Sequence, residues 1–286
     1  MKLILQGLAP QAETVQQIAI LAGAARTTQI SDSAFLCDIA NQAHVAPSTL
    51  RQQIDAACHA AQLDYALLPA LLQWRDFGLL AMDMDSTLIT IECIDEIADM
   101  QGLKPQVAAI TEAAMRGEIE FNESLRRRVA LLRGLDASAL ERVYDERLRL
   151  SPGAEHMIGA VKAAGLRTLL VSGGFTFFSD RVRERLALDH SHANQLEVVD
   201  GKLSGAVVGK IVNADEKKAT VERVCNQFGV TPAQAIVMGD GANDLQMMRV
   251  AGLSVAYRAK PVVRAQADVA LNFVGLDGIL ALFDPS

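Results

Sequence analysis

Cysteine is scarce and scattered. Four occur in 286 residues, Cys37, Cys58, Cys93 and Cys225, and no two form a Cys-x-x-Cys pair. That leaves no thiolate zinc motif and no disulfide framework, and buried thiols are the expected state. Basic charge is also short: 27 Lys and Arg stand against 34 Asp and Glu, a formal net charge of −7. Nucleic acids and anionic membrane surfaces call for clustered Lys and Arg, and the run Arg126-Arg127-Arg128 is too short to supply them. No apolar stretch reaches the roughly 18–20 residues that span a bilayer. Met1 to Pro10 lacks the apolar core and cleavage site of a signal peptide, so a cytoplasmic protein is expected, with no nucleic acid and no membrane among its partners. Of five histidines only His190 and His192 are close in sequence, too few for a histidine metal site.

Half of the residues are apolar and about a fifth are charged, which suits a globular chain of one or two domains. Residues 1–75 read as a small α+β domain. Strands are expected near Leu3 to Leu8 and Ala34 to Ile39. Helices are expected from Ala12 to Ala25 and, capped by Ser48-Thr49, through Ile54, Ala57 and Ala61. No residue here forms a catalytic cluster, and a folding or dimerising appendage, giving a homodimer, stands beside ligand binding as the reading.

From about residue 76 the pattern changes to α/β. Four apolar runs each end in a polar or glycine-rich cluster. Leu79 to Met82 leads into Asp83-Met84-Asp85, and Arg167 to Val171 into Ser172-Gly173-Gly174. Ala235 to Met238 leads into Gly239-Asp240-Gly241, and Leu253 to Ala256 into Tyr257. Uninterrupted apolar runs suit parallel strands buried on both faces, and the helical stretches Gly153 to Ala164 and Lys217 to Gln227 lie between them. The alternation predicts a doubly wound parallel sheet. Thr231-Pro232-Ala233-Gln234 has the form of a capping box. Residues 90–150 read as a helical insertion, with Phe121, Leu125, Val129 and Leu132 at three- and four-residue spacing. A β-hairpin turning at Asp200-Gly201 is a second, smaller insertion.

In an open parallel sheet, ligands bind outside the carboxyl ends of the strands. Asp83 and Asp85 stand two apart at one strand end, and Asp240, Asn243 and Asp244 follow another. Hard oxygen donors without His or Cys favour Mg2+ over zinc. Ser172, Gly173 and Gly174 offer a hydroxyl and open backbone N–H groups at a helix start, a cradle for a phosphate. Lys217 is a compensating charge within reach of the same pocket. Each piece alone is commonplace: a D-x-D pair or a Gly-Asp-Gly is usually a solvated turn. Their joint occurrence at successive strand ends describes phosphoryl transfer.

The series Asp83-Met84-Asp85-Ser86-Thr87, Ser172-Gly173-Gly174, Lys217 and Gly239-Asp240-Gly241-Ala242-Asn243-Asp244 resembles the haloacid dehalogenase-like hydrolases over roughly residues 76–284. Glu92, nine residues after Asp83, and the segment Phe121 to Val129 resemble the branch of that family that dephosphorylates O-phosphoserine, the closing step of serine biosynthesis. The resemblance implies a catalytic core over 76–286 with a helical cap at about 90–150. It implies that Asp83 attacks phosphorus to form an aspartyl-phosphate, and that Asp85 protonates the leaving oxygen and then activates water. Mg2+ would be held by Asp83, Asp240 and the Asp85 carbonyl, with Asp244 supporting its waters. Ser172, Gly173, Lys217 and Asn243 would bind the phosphate. Glu92 and Arg128 would read the ammonium and the carboxylate. The strand–helix order of residues 1–75, outside this core, is compatible with an amino-acid-binding, ACT-like regulatory domain.

Three other readings compete. One is a phosphatase or phosphotransferase whose cap is shaped for a different small phosphomonoester, which the sequence leaves open. A signalling receiver domain shares the aspartate, Mg2+, hydroxyl and lysine, but needs neither Asp85 nor an insertion at 90–150. A catalytically dead amino-acid sensor would not need the intact set Asp83, Asp85, Lys217 and Asp240.

Overall fold

Residues 1–39 and 47–284 are described in a computed structural model. At the N-terminus β1 (Lys2–Gln6), α1 (Ala12–Leu21), β2 (Ala24–Ser31), β3 (Ala34–Ile39), α2 (Pro47–Ala60) and β4 (Asp64–Leu68) follow in β-α-β-β-α-β order. The four strands are antiparallel, in the order β2-β3-β1-β4. Alternation along β1 serves two cores. Leu3 and Leu5 pack with Val15, Ile18, Phe35 and Ile54 under the helices, while Ile4 faces the larger core of the remainder of the chain. Both strands and both helices expected from the sequence are present, with α1 ending at Leu21 rather than Ala25. α2 spans Pro47–Ala60, so Ser48 and Thr49 lie within its first turn rather than ahead of it. β2 and β4 are additional. β2 is polar and mostly exposed, so it carries no apolar signal.

The rest of the chain continues with β5 (Leu79–Met82), α3 (Cys93–Asp99), α4 (Lys104–Met115), α5 (Phe121–Ala130), α6 (Ser138–Arg142), α7 (Ala154–Ala163) and β6 (Arg167–Phe175). Next come α8 (Thr176–Leu186), β7 (His190–Val199), β8 (Lys202–Val208), α9 (Ala214–Gln227), β9 (Ala235–Gly239), α10 (Leu245–Met248), β10 (Leu253–Tyr257), α11 (Pro261–Arg264) and β11 (Val269–Leu271). β11-β10-β9-β5-β6-β7 run parallel, with β5 at the centre between β9 and β6. Leu79 and Ala81 face one core with Val221 and Val224 of α9, and Leu80 and Met82 face the other with Met157 and Val161 of α7. Burial on both faces explains why these strands read as unbroken apolar runs.

β4 joins β11 antiparallel through Tyr65 and Ala270, so the N-terminal strands extend the same sheet to eleven strands. The buried Asp64 carboxylate strengthens this seam by accepting the backbone N–H groups of Asn272, Phe273 and Val274. Thr231 starts a single short turn, Pro232–Gln234, in which Gln234 Oε1 accepts the Thr231 N–H at 3.1 Å.

The helices α3 to α6 form one insertion whose stems pair with each other. The Thr90 N–H donates to Arg149 O and the Ser151 N–H to Leu88 O, both at 3.0 Å. The hairpin β7–β8 clasps this insertion from the other side, since the Leu203 N–H donates to Leu135 O and the Gly134 N–H to Leu203 O. Asp200 and Gly201 both have positive φ, +51° and +75°, as a tight hairpin turn requires.

Candidate active site

Each chemically notable residue of the sequence lies at the carboxyl end of β5, β6 or β9, or on an element packed against those ends. Asp83 follows β5, with its N–H donating to Met238 O of β9. The chain then turns sharply, and Ser86 takes a φ of +57°, a costly conformation for a residue with a side chain. That turn directs the Ser86 hydroxyl to Glu92 Oε1 at 2.8 Å, fixing Glu92 just ahead of α3. β6 runs on through Phe175, so Ser172, Gly173 and Gly174 belong to the strand, and α8 begins only at Thr176. Ser172 Oγ accepts the Gly174 N–H at 2.8 Å. A Cβ on Gly174 would stand 2.8 Å from Asp85 Oδ2, so the close approach of the two loops requires glycine. Buried Asn194 of β7 holds this loop by donating to Gly173 O, while its Oδ1 accepts the Val212 N–H, both at 2.8 Å.

Lys217 projects from α9, whose N-cap Asn213 accepts the Glu216 N–H at 3.0 Å. Its ammonium is wholly buried and donates to Asp83 Oδ1 at 2.6 Å and to Asp244 Oδ1 at 2.7 Å. Asp244 Oδ2 accepts the N–H groups of Asp240 and Gly241, so both of its oxygens are engaged. One carboxylate oxygen from each of Asp83, Asp240 and Asp244 lies within 4.8 Å of the others. The Asp85 carboxylate is not part of that cluster, which leaves its backbone carbonyl as the atom to be matched to the sequence expectation. His190 and His192 stand apart on β7, and His192 faces Glu216 at 3.5 Å.

Crowding of acids in a buried place shifts their protonation. Burial, with the charge of Asp244 added, raises Asp83 well above the usual carboxylate range. Burial and then Glu92 raise Asp85 to about 8. Burial, Asp244 and Glu92 raise Asp240 to about 7. Burial alone would lower Lys217, but the carboxylates of Asp244 and Asp83 outweigh it and raise its pKa. Three acids around one ammonium leave an excess of negative charge, and their oxygen donors fit a hard divalent cation.

Above the acids the inserted helices close a cavity of about 570 Å³. Asp83, Asp85, Ser172, Gly173, Asp240 and Asn243 line its floor. Glu92 and Arg128 line its cap side, with Phe121 and Ile119 as apolar wall. Lys217 and Asp244 lie beneath the floor, bonded to Asp83 and to the Asp240 loop. All the site residues expected from the sequence therefore meet at one place. Arg126 and Arg127 are exposed, whereas Arg128 is half-buried and turned into the cavity, with its Nε 3.4 Å from Ser124 O. The sequence reading missed Asn194, Asp95, Ser124 and Lys260. The last three line the cavity; Asp95 and Lys260 belong to no recognisable motif, and Ser124 lies within the Phe121 to Val129 segment without a role assigned to it. Buried Asn194 shows only as a polar residue within a strand.

The haloacid dehalogenase-like hydrolase model matches residues 77–252. The chain belongs to the haloacid dehalogenase-like hydrolases. Within this family it is 58% identical over 216 residues to a phosphoserine phosphatase of Polaromonas sp., covering 74% of this chain and 92% of the relative. It is similar in structure to a probable phosphoserine phosphatase from Vibrio cholerae in unliganded form, with a TM-score of 0.82 and 34% identity over 98% of this chain and 85% of that one. It is also similar to a phospho-aspartyl intermediate analogue of phosphoserine phosphatase, with a TM-score of 0.69 and 38% identity over 73% of this chain and 99% of that one. Haloacid dehalogenase-like hydrolases are generally metal-dependent, in keeping with the acidic cluster of Asp83, Asp240 and Asp244.

Proposed function

We propose that this chain is a phosphoserine phosphatase, hydrolysing O-phosphoserine to serine and phosphate in the closing step of serine biosynthesis. The observation that carries the reading is one cavity with a carboxylate pair, Asp83 and Asp85, at its floor and an opposed Glu92 and Arg128 at its cap. A phosphomonoester bearing both an ammonium and a carboxylate complements that arrangement. The relatives' names and the phospho-aspartyl analogue support it.

In this mechanism Asp83 attacks phosphorus and carries the phosphoryl group, and Lys217 holds its attacking carboxylate in place and offsets the phosphate's charge. Asp85, protonated near neutral pH through its raised pKa, gives a proton to the departing serine oxygen. The resulting carboxylate then takes a proton from the water that attacks the aspartyl-phosphate. Ser172, the Gly173 N–H and Asn243 bind phosphate oxygens, Glu92 pairs with the ammonium, and Arg128 takes the carboxylate in its planar fork. Mg2+ would be held by Asp83, Asp240 and the Asp85 carbonyl, and when bound it neutralises charge on the phosphate. Asp244 orients Lys217 and the Asp240 loop and would support the metal's waters.

The division we propose is a regulatory, ACT-like domain over 1–75 and a catalytic domain over 76–286 with its cap at about 90–150. The β-α-β-β-α-β order supports the first part. β2, the terminal strand of the sheet, has an edge unpaired among the described residues and suited to a homodimer contact. Among the described residues no helix is long and apolar enough to cross a membrane, and we place the enzyme in the cytoplasm.

The test is phosphate release from a panel of small phosphomonoesters with Mg2+, with and without chelator. O-phosphoserine should give the highest kcat/KM and chelation should abolish release. A preference for an ester lacking the amino or carboxylate group would displace phosphoserine as the substrate.

A further inference from the structure

We infer that Ser124 is a specificity-determining residue whose hydroxyl donates a hydrogen bond to the substrate carboxylate beside Arg128. The inference rests on the phosphoserine reading and extends it to a residue of the Phe121 to Val129 segment that has no role in that reading.

Ser124 lies one helical turn before Arg128 on α5, so both side chains fall on the same face of that helix. That face lines the cavity, and both residues belong to its wall. Ser124 is 1% exposed, and its Oγ has no hydrogen-bond partner among the described residues. A buried serine in a helix ordinarily satisfies its hydroxyl on the carbonyl one turn back. Here that carbonyl, Glu120 O, is taken by the Ser124 N–H at 2.9 Å, and the hydroxyl does not join it. Buried hydroxyls without partners are rare because the water they give up is not replaced. One that borders a ligand cavity finds its partner in the ligand.

The neighbours decide which end of the ligand that is. The Arg128 side chain folds back over the turn that carries Ser124, its Nε 3.4 Å from Ser124 O. Glu92 is the acid assigned to the ammonium in the proposed reading, while the charge of Asp95 acts on Arg128 itself. The hydroxyl is therefore on the carboxylate side, where a donor is needed. Arg128 supplies charge and a fork, and Ser124 adds a donor at a different angle. Together they select a carboxylate over a neutral group of similar size.

The experiment compares the full-length enzyme with Ser124→Ala on O-phosphoserine and on O-phosphoethanolamine, which keeps the ammonium and lacks the carboxylate. The latter is measured as substrate or as competitive inhibitor. A hydrogen bond to a charged group corresponds to about tenfold to a hundredfold in affinity. The expected result is a KM for O-phosphoserine raised by about that factor, kcat little changed, and O-phosphoethanolamine constants within about twofold of wild type. Melting temperature should be equal or higher, because the variant removes an unpartnered hydroxyl from the free enzyme. An equal change on both ligands, or none on either, would overturn the inference while leaving the substrate assignment intact. Failure of the wild type to hydrolyse O-phosphoserine would overturn both.

Discussion

Replacing Lys217 by methionine isolates the electrostatic core of the site. The ammonium lies 2.6 Å from Asp83 Oδ1 and 2.7 Å from Asp244 Oδ1. Lys217 and Asp244 are 0% exposed and Asp83 is 4% exposed, so water cannot take the ammonium's place without opening the fold. Removing one partner of a buried ion pair costs about 3–5 kcal/mol, because the opposite charge stays behind uncompensated. Domains of 150–250 residues lose about 2–4 °C of melting temperature per kcal/mol, which places the expected fall at roughly 6–20 °C. Asp83, which burial and the charge of Asp244 already hold well above the usual carboxylate range, can relieve the stress by binding a proton, so the deficit is small in acid and grows as pH rises. Differential scanning calorimetry of metal-free protein, in mildly acidic and in mildly alkaline buffer, reads this directly. Adding Asp244→Asn to Lys217→Met should recover part of the loss, since the second change removes one stranded charge. A Lys217→Met protein as stable as wild type in alkaline buffer, with a strictly additive double variant, would refute the reasoning.

Asp85→Asn should slow turnover of O-phosphoserine by about a hundredfold or more with the melting temperature retained, as loss of a general acid implies; steady-state phosphate release reads it. Arg128→Ala should raise KM for O-phosphoserine far more than for an ester without a carboxylate, and equal effects would assign the arginine to phosphate or to cap packing. The raised pKa values of Asp85, about 8, and Asp240, about 7, stand above the ordinary 3.8. Their contribution to the stability of metal-free protein is therefore full below that ordinary value and lost as pH rises through about 7 and 8. Mg2+ should accordingly raise the melting temperature more in alkaline than in acidic buffer, and an equal rise at both would contradict the buried-acid account.

The parallel core was legible because strands such as β5 and β9 are buried on both faces and leave unbroken apolar runs ending in polar clusters. The helical insertion was legible from the Phe121, Leu125, Val129 spacing, and the hairpin from Asp200-Gly201. β2 left no trace because it is polar and mostly exposed. The extension of β6 through Phe175 was hidden because Ser172-Gly173-Gly174 reads as a turn, although its backbone stays extended under the clamp of Asn194. At the site, Asp83, Asp85, Lys217 and Asp240 announced themselves by order along the chain. The position of Lys217 beneath Asp83, the full engagement of both Asp244 oxygens and the inward turn of Arg128 depend on contacts between distant segments. A linear pattern holds no record of those. Ser124 was hidden for a related reason: a serine one turn before an arginine is ordinary until burial removes its partners.

The central claim is that Asp83 carries the phosphoryl group. Acid quenching of the wild-type enzyme during turnover of O-phosphoserine, followed by peptide mapping with mass spectrometry, tests it most directly. The expected result is one acid-trapped phosphoryl group on Asp83, absent from an Asp83→Asn protein that is folded and inactive. A phosphoryl group on another residue, or normal phosphate release by Asp83→Asn, would contradict it.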